Sequence, residues 1–160
     1  MRSTTRLMTL AAALAVAAPL APAGTASAQS TFLPFTQMLR RCDFSETDFN
    51  GPTGFGRPQG VLHTNGHDVV ADVSIDQARP NTRYDVRLIQ MPRPASAPCW
   101  GGDPGVAVAS LVTDGIGHGQ VLVHDTKEPG ATGAWVFISL PNPYSQDPAE
   151  FYTTDFVAKI

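Results

Sequence analysis

The feature that most constrains the fold is the spacing of apolar residues from Arg57 onward. Short apolar stretches are separated by Gly, Pro, Asn and Asp, and no sustained apolar repeat of three to four residues occurs. Such a pattern is typical of an all-β sandwich or barrel. It predicts strands over residues 59–64, 67–75, 83–90, 106–113, 118–124, 133–140 and 151–158. An eighth strand is predicted over 41–46, within an otherwise irregular segment 29–57.

Asn65-Gly66 predicts the turn of the first hairpin, because both central positions of a two-residue hairpin turn favour φ > 0. This register places His63 opposite Asp68 as a polar pair and Leu62 opposite Val69. Alternation along both strands then predicts one core face, made of Leu62, Val69, Ala71, Val73 and Ile75.

The N-terminus has the order of a secretory signal peptide. Arg2 and Arg6 precede the apolar run 7–21, and small residues end it at Ala26-Ser27-Ala28. The run is too short for a membrane span, which needs about 20 apolar residues. We therefore expect a signal peptide over 1–28, a single domain over 29–160, no membrane span, and a secreted or cell-envelope location.

Charge argues against nucleic acid as a partner. The chain has 11 Lys and Arg against 14 Asp and Glu, and Arg2 and Arg6 leave with the signal peptide. The mature protein is therefore acidic and is repelled overall by polyanions. Lys127 and Lys159 are the two lysines, and this bias toward Arg is typical of a high-GC bacterial genome.

Cys42 and Cys99 are the two cysteines, and both lie in the mature part. Two cysteines in an exported chain predict one disulfide, which would stabilise the fold by roughly 4 kcal/mol. The alternative, free thiols used in metal or redox chemistry, is typical of the closer Cys-x-x-Cys spacing.

Residues 78–86 resemble the Leu-x-Pro-x-Thr-x-Tyr corner of fibronectin type III and related immunoglobulin-like domains. Pro80, Thr82 and Tyr84 match, and Ala78 stands in place of the Leu. The resemblance implies an immunoglobulin-like antiparallel β-sandwich of about seven to eight strands, with the Tyr84 hydroxyl bonded to upstream backbone. Four strands are predicted after this corner, so the strand order must differ from that of fibronectin type III.

Three short motifs are similar to those of small exported actinobacterial (mycobacterial-like) β-sandwich proteins. They are Pro-Asn-Thr-x-Tyr at 80–84, Thr-Gly-Ala-Trp at 132–135 and Tyr-Thr-Thr-Asp-Phe at 152–156. No function is established for that group, so the resemblance implies a fold and export and supplies no mechanism.

The histidines do not predict a metal site. The hairpin register sends His63 and His67 to opposite faces, so they do not share a metal easily. His118 and His124 share a face but lie about 20 Å apart along an extended strand. We expect neither a metal nor a cofactor.

Four arginines and one tryptophan are candidate ligand-binding residues: Arg79, Arg83, Arg87, Arg93 and Trp100. Alternation puts Arg83 and Arg87 on one outer face, where they could hold a sulfated, phosphorylated or carboxylated ligand, with Trp100 as a stacking surface. In the alternative interpretation, the strand is simply exposed and balanced by Asp85, and Trp100 packs on the disulfide.

These observations predict a non-catalytic protein, not an enzyme, that binds an extracellular or envelope partner or surface ligand through its loops. The alternative is a small secreted hydrolase that uses paired carboxylates such as Asp43 and Glu46. A raised pKa on at least one of a pair of carboxylates in a cleft would favour the hydrolase.

Overall fold

The structure is a computed structural model that describes residues 28–49 and 54–160. Except for Ala28, the predicted signal peptide lies outside the described residues. Nine strands form in the described part of the chain: β1 (Gln29–Thr36), β2 (Arg57–Thr64), β3 (Asp68–Asp76), β4 (Arg83–Met91), β5 (Val106–Val112), β6 (Gly119–Thr126), β7 (Gly133–Leu140), β8 (Glu150–Thr154) and β9 (Ala158–Lys159). No helix occurs there, and thus none that could cross a membrane. The all-β class is as predicted.

The strands form one antiparallel, nearly barrel-shaped sheet in the order β5-β4-β7-β8-β1-β2-β3-β6, with β9 paired to β7. β5 and β6, at the two ends of this order, follow each other in the chain. A tight connection joins them, in which Asp114 N donates to His118 O at 2.8 Å. The two edges of the sheet therefore lie close together, and the barrel nearly closes.

β1 links the two halves of the sheet. Residues up to Pro34 pair with β2, whereas Phe35 and Thr36 pair with β8. Pro34, which has no backbone N–H to donate, lies at the switch between partners. We call β1-β2-β3-β6 the first half and β5-β4-β7-β8 the second half.

The sequence pattern missed β1 and misplaced the eighth strand. Residues 41–46 form a tight turn with Phe44 at φ 69°, flanked by an isolated bridge between Arg40 and Glu46, so the predicted strand is wrong. The predicted strand 151–158 is split into β8 and β9, because Asp155 leaves the ladder and donates its N–H to Pro34 O at 3.1 Å.

The first hairpin keeps its predicted faces but not its predicted register. Asn65 Oδ1 accepts hydrogen bonds from the N–H groups of His67 and Asp68, at 2.9 and 2.7 Å, which centres the turn on Gly66-His67. Leu62 thus lies opposite Ala71 rather than Val69. Because the partner shifts by two residues, every side chain keeps its face. The predicted core face is buried throughout.

The main core fills the barrel interior, where the inward side chains of both halves meet. Its largest members include Tyr84, Tyr152, Leu33, Leu62 and Ile75, each under 2 % exposed. β4 alternates as predicted, with Tyr84 inward and Arg87 on the outer face.

A second apolar cluster lies outside the barrel, on the outer face of the second half. Trp135, Phe137 and Phe151 are buried there beneath Phe44 and Phe49 from the segment 38–49. The predicted disulfide between Cys42 and Cys99 is present, with a Cα–Cα distance of 5.5 Å, and it joins this segment to the loop after β4.

Candidate functional site

A groove of about 430 Å³ lies beside the second cluster. Part of the segment 38–49, which covers that cluster, borders the groove. Its floor is the outer face of the second half of the sheet. There Arg87 on β4 has Val108 of β5 and Phe137 of β7 as its register partners on the two neighbouring strands. Its walls are residues 39–42, the loop 99–101 and the loop 141–148. The disulfide joins two of these walls and so holds the width of the groove.

Arg87 is held in the groove between two aromatic rings. Its guanidinium carbon lies 4.4 Å from the Phe137 ring centre and 5.1 Å from that of Trp100. Nη1 donates to the carbonyl oxygen of Cys99 at 3.1 Å. Cation–π contacts and one hydrogen bond therefore orient the guanidinium.

Arg87 has no carboxylate at ion-pair distance among the described residues. The undescribed residues, 1–27 and 50–53, include no Asp or Glu in their sequence. Burial lowers the pKa of the Arg87 guanidinium, and nearby Asp85 opposes that shift. Asp85 itself forms an ion pair with Arg83, at 3.3 Å. Arg87 is thus a half-buried cation that keeps donors free for an incoming anion.

Trp100 stands on a well-held loop at the rim, and 67 % of it is exposed. Its backbone N–H donates to Asp103 Oδ2 at 2.6 Å, and Asp103 N donates back to Trp100 O at 3.1 Å. Gly101 packs directly on β5, because a Cβ there would lie 2.9 Å from the Val108 side chain. The indole therefore stands largely open to solvent at the rim of the groove.

Polar side chains line the groove together with Arg87. Asp85 and Ser139 are register partners on β4 and β7 and share the outer face. Asn142 and Asp147 come from the loop 141–148, where Asn142 Oδ1 accepts a hydrogen bond from Tyr144 N at 3.0 Å. The groove thus offers hydrogen-bond acceptors and neutral donors in one lining with Arg87. Arg40 and Arg41 line it too, but the Arg40 guanidinium contacts the carboxylate of Glu46 and the Arg41 guanidinium contacts the carbonyl oxygen of Glu46.

The structure brings Arg87 and Trp100 together and places the other three candidate arginines elsewhere. Arg79 pairs with Glu150 at 3.0 Å, and Arg83 pairs with Asp85. Arg93 donates to the carbonyl oxygens of Pro98 and Pro104 and so braces its own loop.

Sequence reasoning missed a buried carboxylate, Glu150, which is 1 % exposed. Its Oε1 accepts hydrogen bonds from the hydroxyls of Tyr84, at 3.1 Å, and Tyr152, at 2.5 Å. Arg79 Nε lies 3.0 Å from Oε2 as an ion pair without a well-directed hydrogen bond. Period-two alternation from Tyr152 places Glu150 on the inward face, and this was the available signal.

Each tyrosine hydroxyl of this cluster also accepts a backbone N–H. Gly56 N donates to the Tyr152 hydroxyl at 2.8 Å, and Arg79 N donates to that of Tyr84 at 3.3 Å. Burial raises the pKa of the Tyr84 hydroxyl to about 12, with a smaller contribution from Glu150. The pKa of the Tyr152 hydroxyl is also raised, first by burial and then by its hydrogen bond to Glu150. The cluster therefore ties the loop before β2 and the loop before β4 to β8.

Asp43 and Glu46, the carboxylates of the hydrolase hypothesis, lie in the turn at 41–46. Asp43 Oδ1 accepts hydrogen bonds from the Ser45 hydroxyl and N–H, which lower the pKa of Asp43. Glu46 Oε1 lies 3.5 Å from Arg40 Nη1. The pKa shift of Asp43 is opposite to the one that a general acid requires. The hydrolase hypothesis stays a prediction.

The histidines make pairwise contacts on the outer surface. The predicted pair of His63 and Asp68 is wrong, since His63 lies opposite Val70 and its Nδ1 is 2.9 Å from Ser30 Oγ. Asp68 instead contacts His67 and His124, at 3.1 and 3.2 Å. In the described ranges no group of three or more His, Cys, Asp or Glu could hold a metal ion.

The groove thus combines a half-buried cation, an exposed tryptophan and hydrogen-bonding side chains. No protein-family model, curated protein or solved structure matches this chain, so no relative supplies a ligand for it.

Proposed function

We propose that this is an exported, non-catalytic binding protein that holds an anionic group of a surface ligand or partner in the Arg87 groove. The observation that carries the proposal is the half-buried Arg87 guanidinium without a carboxylate partner in the described part of the chain. A cation taken out of water costs free energy unless it is paired. A ligand anion would supply the missing pair, and binding would recover that cost.

Export and fold type belong to the same proposal. The charge and apolar order of residues 1–28 supports a signal peptide, and the disulfide is compatible with an oxidising compartment. The hydrogen bond from Arg79 N to the Tyr84 hydroxyl supports kinship with immunoglobulin-like sandwiches, whose tyrosine corners make a similar bond.

Titration with benzoate, with its neutral isostere benzamide as reference, tests the proposal. Trp100 is exposed and Trp135 is buried, so a change in tryptophan fluorescence on titration reports on the groove. We expect saturable benzoate binding that weakens with added NaCl, and at least tenfold weaker binding of benzamide.

Two variants assign the binding to Arg87. Arg87→Met keeps an unbranched stem between the two rings and removes the charge, so it should abolish the preference for benzoate. Arg57→Ala removes an exposed charge from β2, in the other half, and should leave the affinity unchanged. Equal binding by Arg87→Met and the unmodified protein would refute the proposal.

A further inference from the structure

The groove surrounds its cation with groups that select among anions. Arg40 and Arg41 also line the groove, but Arg40 pairs with Glu46 and Arg41 donates to Ser45 Oγ and Glu46 O, so both are engaged with the turn at 41–46. Asp147 and Asp85, which pairs with Arg83, line the groove together with Arg87, so a phosphate or sulfate group would meet two carboxylates as well as the Arg87 guanidinium. Carboxylate oxygens repel such anions but accept hydrogen bonds from hydroxyl groups. Ser139 and Asn142 add neutral donors and acceptors. The groove therefore suits a ligand with one negative charge and several hydroxyls.

Trp100 adds a requirement on ligand shape. Its indole is exposed, while its loop is held by the reciprocal hydrogen bonds with Asp103. An exposed, fixed aromatic ring beside polar groups presents a flat apolar surface to a ring-shaped ligand. The volume of about 430 Å³ lies in the lower part of the range of ~300–1,000 Å³ typical of small-molecule sites.

We propose that the groove binds a hexuronate unit of an acidic glycan, an inference that rests on the proposed anion-binding function. The carboxylate of the sugar pairs with Arg87, and the C–H face of its ring stacks on Trp100. Its hydroxyls donate to Asp85 and Asp147 and exchange hydrogen bonds with Ser139 and Asn142. Charge, ring and hydroxyls are each needed, because each contacts a different part of the groove.

Titrations of the purified protein with glucuronate, glucose, acetate, benzoate and inorganic phosphate test this inference. Tryptophan fluorescence and amide chemical shifts are the two readouts. We expect glucuronate to bind at least tenfold more tightly than glucose, which lacks the charge, and than acetate, which lacks the ring and hydroxyls. Benzoate should bind less tightly than glucuronate, and phosphate least of the anions.

Variants assign each part of the ligand to its contact. Arg87→Met should reduce glucuronate affinity to that of glucose, and Trp100→Ala should reduce it at least tenfold. Asp85→Asn should lower the ratio of glucuronate to phosphate affinity, a change that a loss of folding would not produce. Tyr144→Ala is the control, because Tyr144 is 95 % exposed on the same loop as Asn142 and does not line the groove.

The outcomes separate this inference from the proposed function. If benzoate or phosphate binds through Arg87 but glucuronate binds no more tightly than acetate, the hexuronate inference is overturned and the anion site stands. Tighter binding of benzoate than of glucuronate also overturns it, in favour of a planar aromatic acid. If no probe binds, the proposed function fails as well.

Discussion

Replacing Tyr152 by Phe removes one oxygen atom and two buried hydrogen bonds. The hydroxyl accepts from Gly56 N at 2.8 Å and donates to Glu150 Oε1 at 2.5 Å. Without it, Gly56 N loses its partner, and Glu150 keeps Tyr84 and the ion pair with Arg79. The variant thus leaves two buried polar groups under-satisfied.

The magnitude follows from the two bonds. A neutral hydrogen bond contributes about 1 kcal/mol to stability, and one to a charged group about 1.5–3 kcal/mol. Tyr152→Phe should therefore lower the free energy of unfolding by about 2–4 kcal/mol. For a domain of this size the melting temperature should fall by ~8–15 °C. Tyr84→Phe should cost less, about 1–2 kcal/mol, because its hydrogen bonds are longer, at 3.3 and 3.1 Å.

Urea unfolding at pH 7 and calorimetry measure both changes, and Tyr144→Phe is the matched control. Tyr144 is exposed, so its variant should lie within about 0.5 kcal/mol of the unmodified protein. A double-mutant cycle of Tyr152→Phe with Glu150→Gln should show coupling of about 1 kcal/mol or more. A Tyr152→Phe variant as stable as Tyr144→Phe would refute the view that this cluster stabilises the fold.

Three more measurements test the site and its surroundings. Arg87→Met should lose ligand binding, yet its free energy of unfolding should stay within about 1 kcal/mol of that of the unmodified protein, because the variant removes a half-buried charge without a carboxylate partner. A decrease of more than about 3 kcal/mol in the free energy of unfolding, measured with urea, would contradict this. Burial raises the pKa of Tyr84 to about 12 from an ordinary 10.0, so the folded state binds this proton more tightly. Stability should therefore fall as the pH rises from 10 toward 12, and an unchanged urea midpoint across that range would count against the buried hydroxyl. The double variant Cys42→Ser/Cys99→Ser should lower the free energy of unfolding by about 4 kcal/mol, because the disulfide no longer closes its loop, and should weaken benzoate binding. Unchanged benzoate affinity at 10 °C would show that the groove does not need the disulfide.

Local chemistry was enough to predict most of the strands. Along β3 and β4 the apolar residues alternate with polar ones, and the buried positions of the structure follow that period. The physical reason is that successive side chains of a strand point to opposite faces, so a half-buried strand must alternate in sequence. The disulfide was equally predictable, because only two cysteines were available to pair.

β1 escaped prediction because its determinants are distant in sequence. Its residues Gln29–Thr36 carry a proline and no regular alternation, and the strand forms because β2 and β8 each offer it an edge. The turn at 41–46 is set in the same way, since the disulfide and the packing of Phe44 on Trp135 hold it in place.

Sequence alone determined the all-β class, the alternation that sends Arg83 and Arg87 outward, and the pairing of the two cysteines. It does not distinguish Arg83 from Arg87, because both are outward arginines on one strand next to Asp85. Only the tertiary structure decided that Arg83 pairs with Asp85 in solvent while Arg87 lies between two aromatic rings without a carboxylate partner among the described residues. The physical reason is that burial and the choice of ion pair depend on which distant segments cover a face, and alternation specifies only which face a side chain takes.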